Sequence, residues 1–261
     1  MNNVNRTMYI PLYGKALVSR MGIILKDEKA AQIWQTAGFP MKGKSASKWL
    51  AYYMAMRAAV FDDWVRQQLS KNPDAWVFHL GCGLDSRNLR VVSGCRYWFD
   101  VDFPAVITER KKYFLESDTY HMIPCDVRDA AWLESVTKGK HAIVVMEGIS
   151  MYLRFAELQN IMAALSRSFD RIVLLMDCYS GFAAKASRFK NPVNEVGVRE
   201  VWGVDDPDLL AQGTGLCFAG EKDMSPPELV AQLSGGEQKV YRHLYAGKMA
   251  RKLYRLYEFR K

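Results

Sequence analysis

The sequence predicts an α/β fold, a doubly wound Rossmann-like sheet beneath an N-terminal helical cap. Three observations carry this. Short apolar runs alternate with helix-like stretches from residue 75 onward. A Gly-x-Gly turn, Gly81-Cys82-Gly83, closes the first of those runs. Acids stand where later runs end, at Asp102, Asp126 and Glu147. Strand–helix alternation produces βαβ units, and the right-handed crossover rule makes of them a parallel sheet with helices on both faces.

The elements follow in order. The first 70 residues read as helical. From Trp49 one apolar row steps through Tyr53, Met56, Val60 and Trp64, and a second through Leu50, Met54, Phe61 and Val65. Both keep the three-or-four spacing of one helical face. Asn72-Pro73 ends that helix. Strands are then expected at 75–80, 97–101, 120–123, 142–146 and 172–176, with helices near 86–92, 104–116, 129–136 and 155–168. Residues 190–215, rich in Gly, Pro and Asp, read as a lid or insertion covering an acceptor. A sixth strand over 216–224, a helix near 241–250 and a last strand over 254–259 complete the list. No internal repeat or low-complexity segment divides the 261 residues. One domain is expected, with 1–72 as cap and 73–261 as core.

Composition narrows the function. Hydrophobic residues make up 49% and charged residues 25%, which supplies a core and excludes a disordered chain. No apolar run approaches the roughly 18 residues of a membrane span, and the N-terminus lacks the apolar segment of a secretory signal. The five cysteines are scattered, odd in number and without a CxxC pair, so no disulfide framework or zinc site is expected. Reduced thiols in a cytoplasm follow. The net charge of +8 gathers partly near the C-terminus, at Lys248, Arg251, Lys252, Arg255, Arg260 and Lys261. It permits nucleic-acid binding, but no RNA-binding signature accompanies it. A solvated face that attracts acidic small molecules is the plainer reading.

Glycines at a strand-to-helix turn let the backbone approach a ligand, and the helix start offers free N–H groups. The third glycine of the dinucleotide fingerprint is absent, since position 86 is Ser. A nucleoside cofactor without a pyrophosphate therefore suits the turn better than NAD. Asp102 lies about 20 residues on, where such folds hold a ribose diol. The alternative is an N-cap ahead of Pro104. Asp100 stands beside it. Arg57 interrupts the second apolar row, between Met54 and Phe61. An Arg placed there needs a partner. Snorkelling, an ion pair with Asp62 or Asp63, a partner distant in sequence and a ligand carboxylate all answer that need. No acid lies at the favoured spacings within the helix.

At these residues the chain resembles the leucine carboxyl methyltransferase superfamily, in the branch typified by bacterial polyketide O-methyltransferases. The motifs are IPLYGKALVSR (10–20), LKDEKA (25–30), HLGCGLDSR (79–87), YWFDVDFP (97–104), CDVRD (125–129), VVMEGISMYL (144–153) and VWGVDDP (201–207). The resemblance implies the class I fold and S-adenosylmethionine as cofactor. It implies that Gly81, with Gly83 in the same turn, lines the methionine part, and that Asp102 takes the ribose with Asp100 beside it. Asp126 and Val127 would hold the adenine. Glu147 would close the amino-acid end, and Arg57 and Lys15 would grip the cofactor carboxylate.

A sulfonium cofactor is an activated methyl donor, so the transfer needs no metal. The four histidines form no metal cluster in sequence, and His79 reads as a satisfied core residue. Asp177 is a candidate base, and Tyr152, Tyr179 and Phe182 are candidates for a substrate wall. The lack of a histidine at the strand ends favours an acceptor that is a carboxylate or an acidic hydroxyl. The expected function is O-methylation of a small aromatic, polyketide-like or carboxylate molecule. The alternatives are a nucleic-acid methyltransferase, a cofactor-binding protein without turnover, and a dehydrogenase on the same fold.

Overall fold

The structure, a computed structural model, describes residues 7–38, 43–91, 96–136, 141–190 and 200–261. The cap consists of α1 (Tyr9–Met21), α2 (Glu28–Ala37) and α3 (Lys48–Lys71). Gly22 ends α1 in the left-handed conformation, and the Asp27 carboxylate starts α2 by accepting from the Ala30 N–H at 2.8 Å. The Asn72 N–H closes α3 onto the Gln68 carbonyl, at the boundary the sequence marks.

The core runs β1 (Trp76–Leu80), α4 (Arg87–Val91), β2 (Tyr97–Asp102), α5 (Pro104–Arg110), β3 (Tyr120–Pro124), β4 (His141–Met146), α6 (Phe155–Ser168), β5 (Arg171–Tyr179) and α7 (Gly181–Lys190). There follow α8 (Pro207–Ala211), β6 (Cys217–Lys222), α9 (Pro227–Val230), α10 (Gly235–Leu244), α11 (Lys248–Leu253) and β7 (Tyr254–Arg260). The sheet order is β3-β2-β1-β4-β5-β7-β6. The first five strands are parallel, and β7 pairs antiparallel with both β5 and β6.

Both faces of the sheet are buried, as a parallel sheet requires. Val77, Ile143, Leu175 and Leu256 face the cap side with Phe61, Trp64 and Val65 of α3. Phe78, Val144, Leu174 and Phe259 face the other side with Leu158, Met162 and Leu165 of α6. Adjacent residues of one strand thus enter different cores.

Several expected elements differ. The stretch near 129–136 is a 3-10 turn, Ala130–Ser135, and the helix from Pro104 ends at Arg110. The helix expected near 241–250 is two helices, α10 and α11, with Gly247 at the N-cap of the second. The lid expected over 190–215 is described only in part. Residues 191–199 lie outside the described residues. Residues 200–215 do not line the cavity described below. Trp202 and Val204 donate to the carbonyls of Met151 and Tyr179 at 2.8 and 2.7 Å, and the Asp205 carboxylate accepts from the Gly181 N–H at 2.9 Å. The VWGVDDP segment therefore latches the end of β5 and the start of α7. Gly203 lies so close to Ser180 that a Cβ there would come within 2.5 Å of its backbone.

Candidate active site

The turns after β1, β2, β3 and β4 wall a cavity of about 960 Å³. That is the upper end of the roughly 300–1,000 Å³ of small-molecule pockets, with room for two ligands side by side. Parallel register puts Leu80 level with Val101, so the Gly81 turn and Asp102 are neighbours. Gly81 has φ +71°, and a Cβ there would lie 2.7 Å from Ile149 Cδ1. Only glycine fits both the backbone conformation and that contact. The Gly83 N–H donates to Asp102 Oδ2 at 2.8 Å, and the Phe103 N–H to Oδ1 at 2.7 Å. Asp102 thus belongs to the turn; the N-cap of α5 is Phe103. Burial pushes the Asp102 carboxyl up to about 6, against the pull of those two N–H donors.

Asp126 and Val127 follow β3 on the same wall. The Arg128 guanidinium forks onto Asp126 through Nε at 2.9 and 3.0 Å, and holds its carboxyl below the usual range. At the other end of the cavity lies a buried lattice of charges. Lys15 Nζ meets Asp85 at 2.8 Å. Arg57 Nε donates to Glu147 Oε1 at 3.0 Å, and its Nη1 to Asp177 Oδ2 and to the Tyr254 hydroxyl, both at 2.8 Å. Arg87 joins Asp62 at 2.7 Å and also meets the second oxygen of Glu147. Burial alone would raise Glu147, but Arg87 and Arg57 hold it at about 2. Among the described residues Arg57 Nη2 has no hydrogen-bond acceptor, and it lies 3.3 Å from where a Gly148 Cβ would stand.

The structure brings together on the cavity wall Lys15, Arg57, Gly81, Gly83, Asp102, Asp126, Val127 and Glu147, with Tyr152, Tyr179 and Phe182. Two candidates stand behind it. Asp100 is wholly buried and accepts from Trp98 Nε1 at 2.8 Å, from the Tyr120 hydroxyl at 2.7 Å and from Arg110. It fixes the end of β2 and does not face the cavity. Asp177 is wholly buried too, and its oxygens accept from Arg57, the Tyr254 hydroxyl and the Gly148 N–H. It does not line the cavity, and it anchors Arg57. His79 is a core residue, but only half satisfied. Nε2 accepts from Arg87 at 3.3 Å, which puts the proton on Nδ1, and Nδ1 stands 3.6 Å from Asp100. Burial keeps this ring's pKa low.

Sequence reasoning missed Tyr53, Leu244, Tyr245 and Tyr254, which also line the cavity. Tyr53 lay in the row read as core packing. Leu244 and Tyr245 come from the β6–β7 connection, whose apolar positions follow no single period, and Tyr254 opens β7. Asp85 and Arg87 lay inside the quoted glycine-turn motif without a role.

Fold and site together define a methyltransferase on a Rossmann-like sheet. The chain belongs to the leucine carboxyl methyltransferase family, whose model matches residues 8–166. It is 29% identical over 244 residues to the tetracenomycin polyketide synthesis O-methyltransferase TcmP of Streptomyces glaucescens, covering 92% of this chain and 90% of that one. It is 26% identical over 233 residues to an S-adenosyl-L-methionine-dependent methyltransferase of Gibberella zeae, covering 80% and 78%. Among solved structures, the magnesium protoporphyrin IX methyltransferase of Synechocystis superposes with a TM-score of 0.51 at 11% identity, covering 90% of this chain and 100% of that one. At that identity the likeness speaks for the fold alone.

Proposed function

We propose that this chain methylates an oxygen that is already acidic, a carboxylate or an acidic hydroxyl, on a small aromatic or polyketide-like molecule. The chain is an S-adenosylmethionine-dependent methyltransferase of small molecules. Bound S-adenosylmethionine supplies a methyl group activated by its sulfonium. Asp102 would accept from the ribose hydroxyls with the lone pairs that Gly83 and Phe103 leave open. Asp126 and Val127 would flank the adenine. Lys15 and the open Nη2 of Arg57 would hold the carboxylate of the methionine part. Glu147 would keep the Arg57 fork in place. The cavity would exclude water and align the acceptor, and such positioning is worth about 7–11 kcal/mol.

The observation that carries the choice of acceptor is the commitment of every carboxylate and imidazole at the methionine end. Glu147 lies between two arginines, Asp85 is paired with Lys15, and His79 accepts from Arg87. Burial pushes the phenols of Tyr53, Tyr152 and Tyr254 up, which leaves them protonated and unfit as bases. An acceptor oxygen that ionises by itself needs none of them. Among the described residues no helix is long and apolar enough to cross a membrane, and Cys82, Cys125, Cys178 and Cys217 are free thiols, which supports a cytoplasmic setting. The test is transfer from methyl-labelled S-adenosylmethionine to a graded panel of acceptors. Label should enter aromatic carboxylates and acidic phenols as ester or ether. Label entering only amines, thiols or RNA would contradict the proposal.

A further inference from the structure

A second cavity of about 240 Å³ adjoins the first, and Tyr53, Tyr245, Ala250 and Tyr254 line both. Three of the four shared residues are aromatic. Tyr53 lies 5.5 Å from Tyr245 and 6.1 Å from Tyr254, centroid to centroid, and Tyr245 stacks on Tyr241 at 5.3 Å. The rest of the second cavity's lining is mostly polar, with Glu221, Lys222, Asp223, Ser225 and Arg251. These charges are balanced locally. Arg251 meets Asp223 at 2.7 Å, Lys222 meets Glu258 at 3.1 Å, and Glu221 faces Arg255 at 3.9 Å.

We propose that this second cavity is an acceptor subsite, which holds a distal hydroxyl-bearing ring while the oxygen to be methylated stays in the main cavity. The inference rests on the methyltransferase reading above and adds the shape of the substrate. The size suits one ring. A cavity of about 150 Å³ accepts benzene, and a water takes about 30 Å³, so this space holds a ring with its substituents. The chemistry suits hydroxyl groups. A paired wall presents N–H donors and carboxylate acceptors together with little net charge, and a hydroxyl answers both. A distal carboxylate or ammonium would have to break a pair to be held. The tyrosine faces and Met224 supply the flat apolar contact that a ring needs.

The subsite and the cofactor site are tested separately. The probes are purpurin, a trihydroxylated anthraquinone, then an anthraquinone carboxylate without hydroxyls, and single-ring salicylate. Each is titrated with and without S-adenosylhomocysteine against wild type, the double variant Asp223→Ala/Arg251→Ala and Lys222→Ala, all at residues that line only the second cavity. Wild type should prefer purpurin over the anthraquinone carboxylate. Both variants should lose purpurin affinity about tenfold, the scale of one or two hydrogen bonds, while salicylate and S-adenosylhomocysteine bind as before. No preference for purpurin in wild type overturns the subsite, as does equal loss for purpurin and salicylate, or no loss in either variant. Failure of S-adenosylhomocysteine to bind wild type would instead overturn the methyltransferase reading, and the purpurin comparison would still be legible in its absence.

Discussion

Arg57 carries several jobs at once. The sequence showed that it breaks an apolar row and that no acid stands at helical spacing, which left a distant partner or a ligand. The distant partners are present. Nε and Nη1 bind Glu147, Asp177 and Tyr254 from three separate elements, and Nη2 is open at the cavity wall. Those partners are about 90, 120 and 197 residues away, beyond any local pattern. Arg57→Ala leaves the buried Asp177 without its cation and Glu147 with Arg87 alone, and should cost about 3–5 kcal/mol in denaturant unfolding. Arg57→Lys keeps the charge but loses the planar fork, so S-adenosylhomocysteine affinity should stay well below wild type in a variant shown to fold. Near-wild-type affinity in the lysine variant would assign the fork to structure alone. Asp102 gives a pH test. Its carboxyl titrates near 6 in the free protein, above the roughly 3.9 of an unfolded chain, so the stability linked to it is full at low pH and is lost as pH rises through 6. A ribose diol favours the ionised carboxylate, so binding releases a proton and affinity should rise from about pH 5 to pH 7. Asp102→Asn should flatten that rise in titration calorimetry. Asp102→Ala should weaken binding by about 1.5–3 kcal/mol.

At the scale of elements, the parallel strands were legible because each is a short apolar run bounded by polar turns. The order of the last three was not. β7 runs antiparallel between β5 and β6, a pairing set by tertiary contacts that strand patterns alone do not encode. The described part of the 190–215 stretch shows a related effect. Gly, Pro and Asp in 200–215 suggested a lid, yet those residues form backbone turns that latch β5 and α7. The cavity is lined from α7 and from around α10 and α11, where Leu244, Tyr245, Ala250 and Leu253 face it. Val230, Leu233 and Tyr241 of that connection pack on Tyr52, Ala55 and Met56 of α3. Hydrogen exchange should therefore slow over 235–253 when S-adenosylhomocysteine and an acceptor analogue bind, and stay unchanged over 203–211. The reverse pattern would restore 200–215 as the lid.

For the whole molecule, the division of labour follows the sheet. Carboxyl ends of the central strands, cations of the cap from α1 and α3, and aromatic and apolar side chains from the β6–β7 connection line one cavity. The first two parts were readable, because glycine and acid spacing record the geometry of a turn. The third was not, because tyrosines on short helices look like ordinary packing until the chain has folded. The most direct test of the central claim is parallel calorimetric titration of the wild-type chain with S-adenosylhomocysteine and with NAD. A turn lacking the third glycine, with Asp102 and a cationic pocket at opposite ends, predicts saturable binding of S-adenosylhomocysteine and no measurable binding of NAD. Tight NAD binding with no heat from S-adenosylhomocysteine would contradict it.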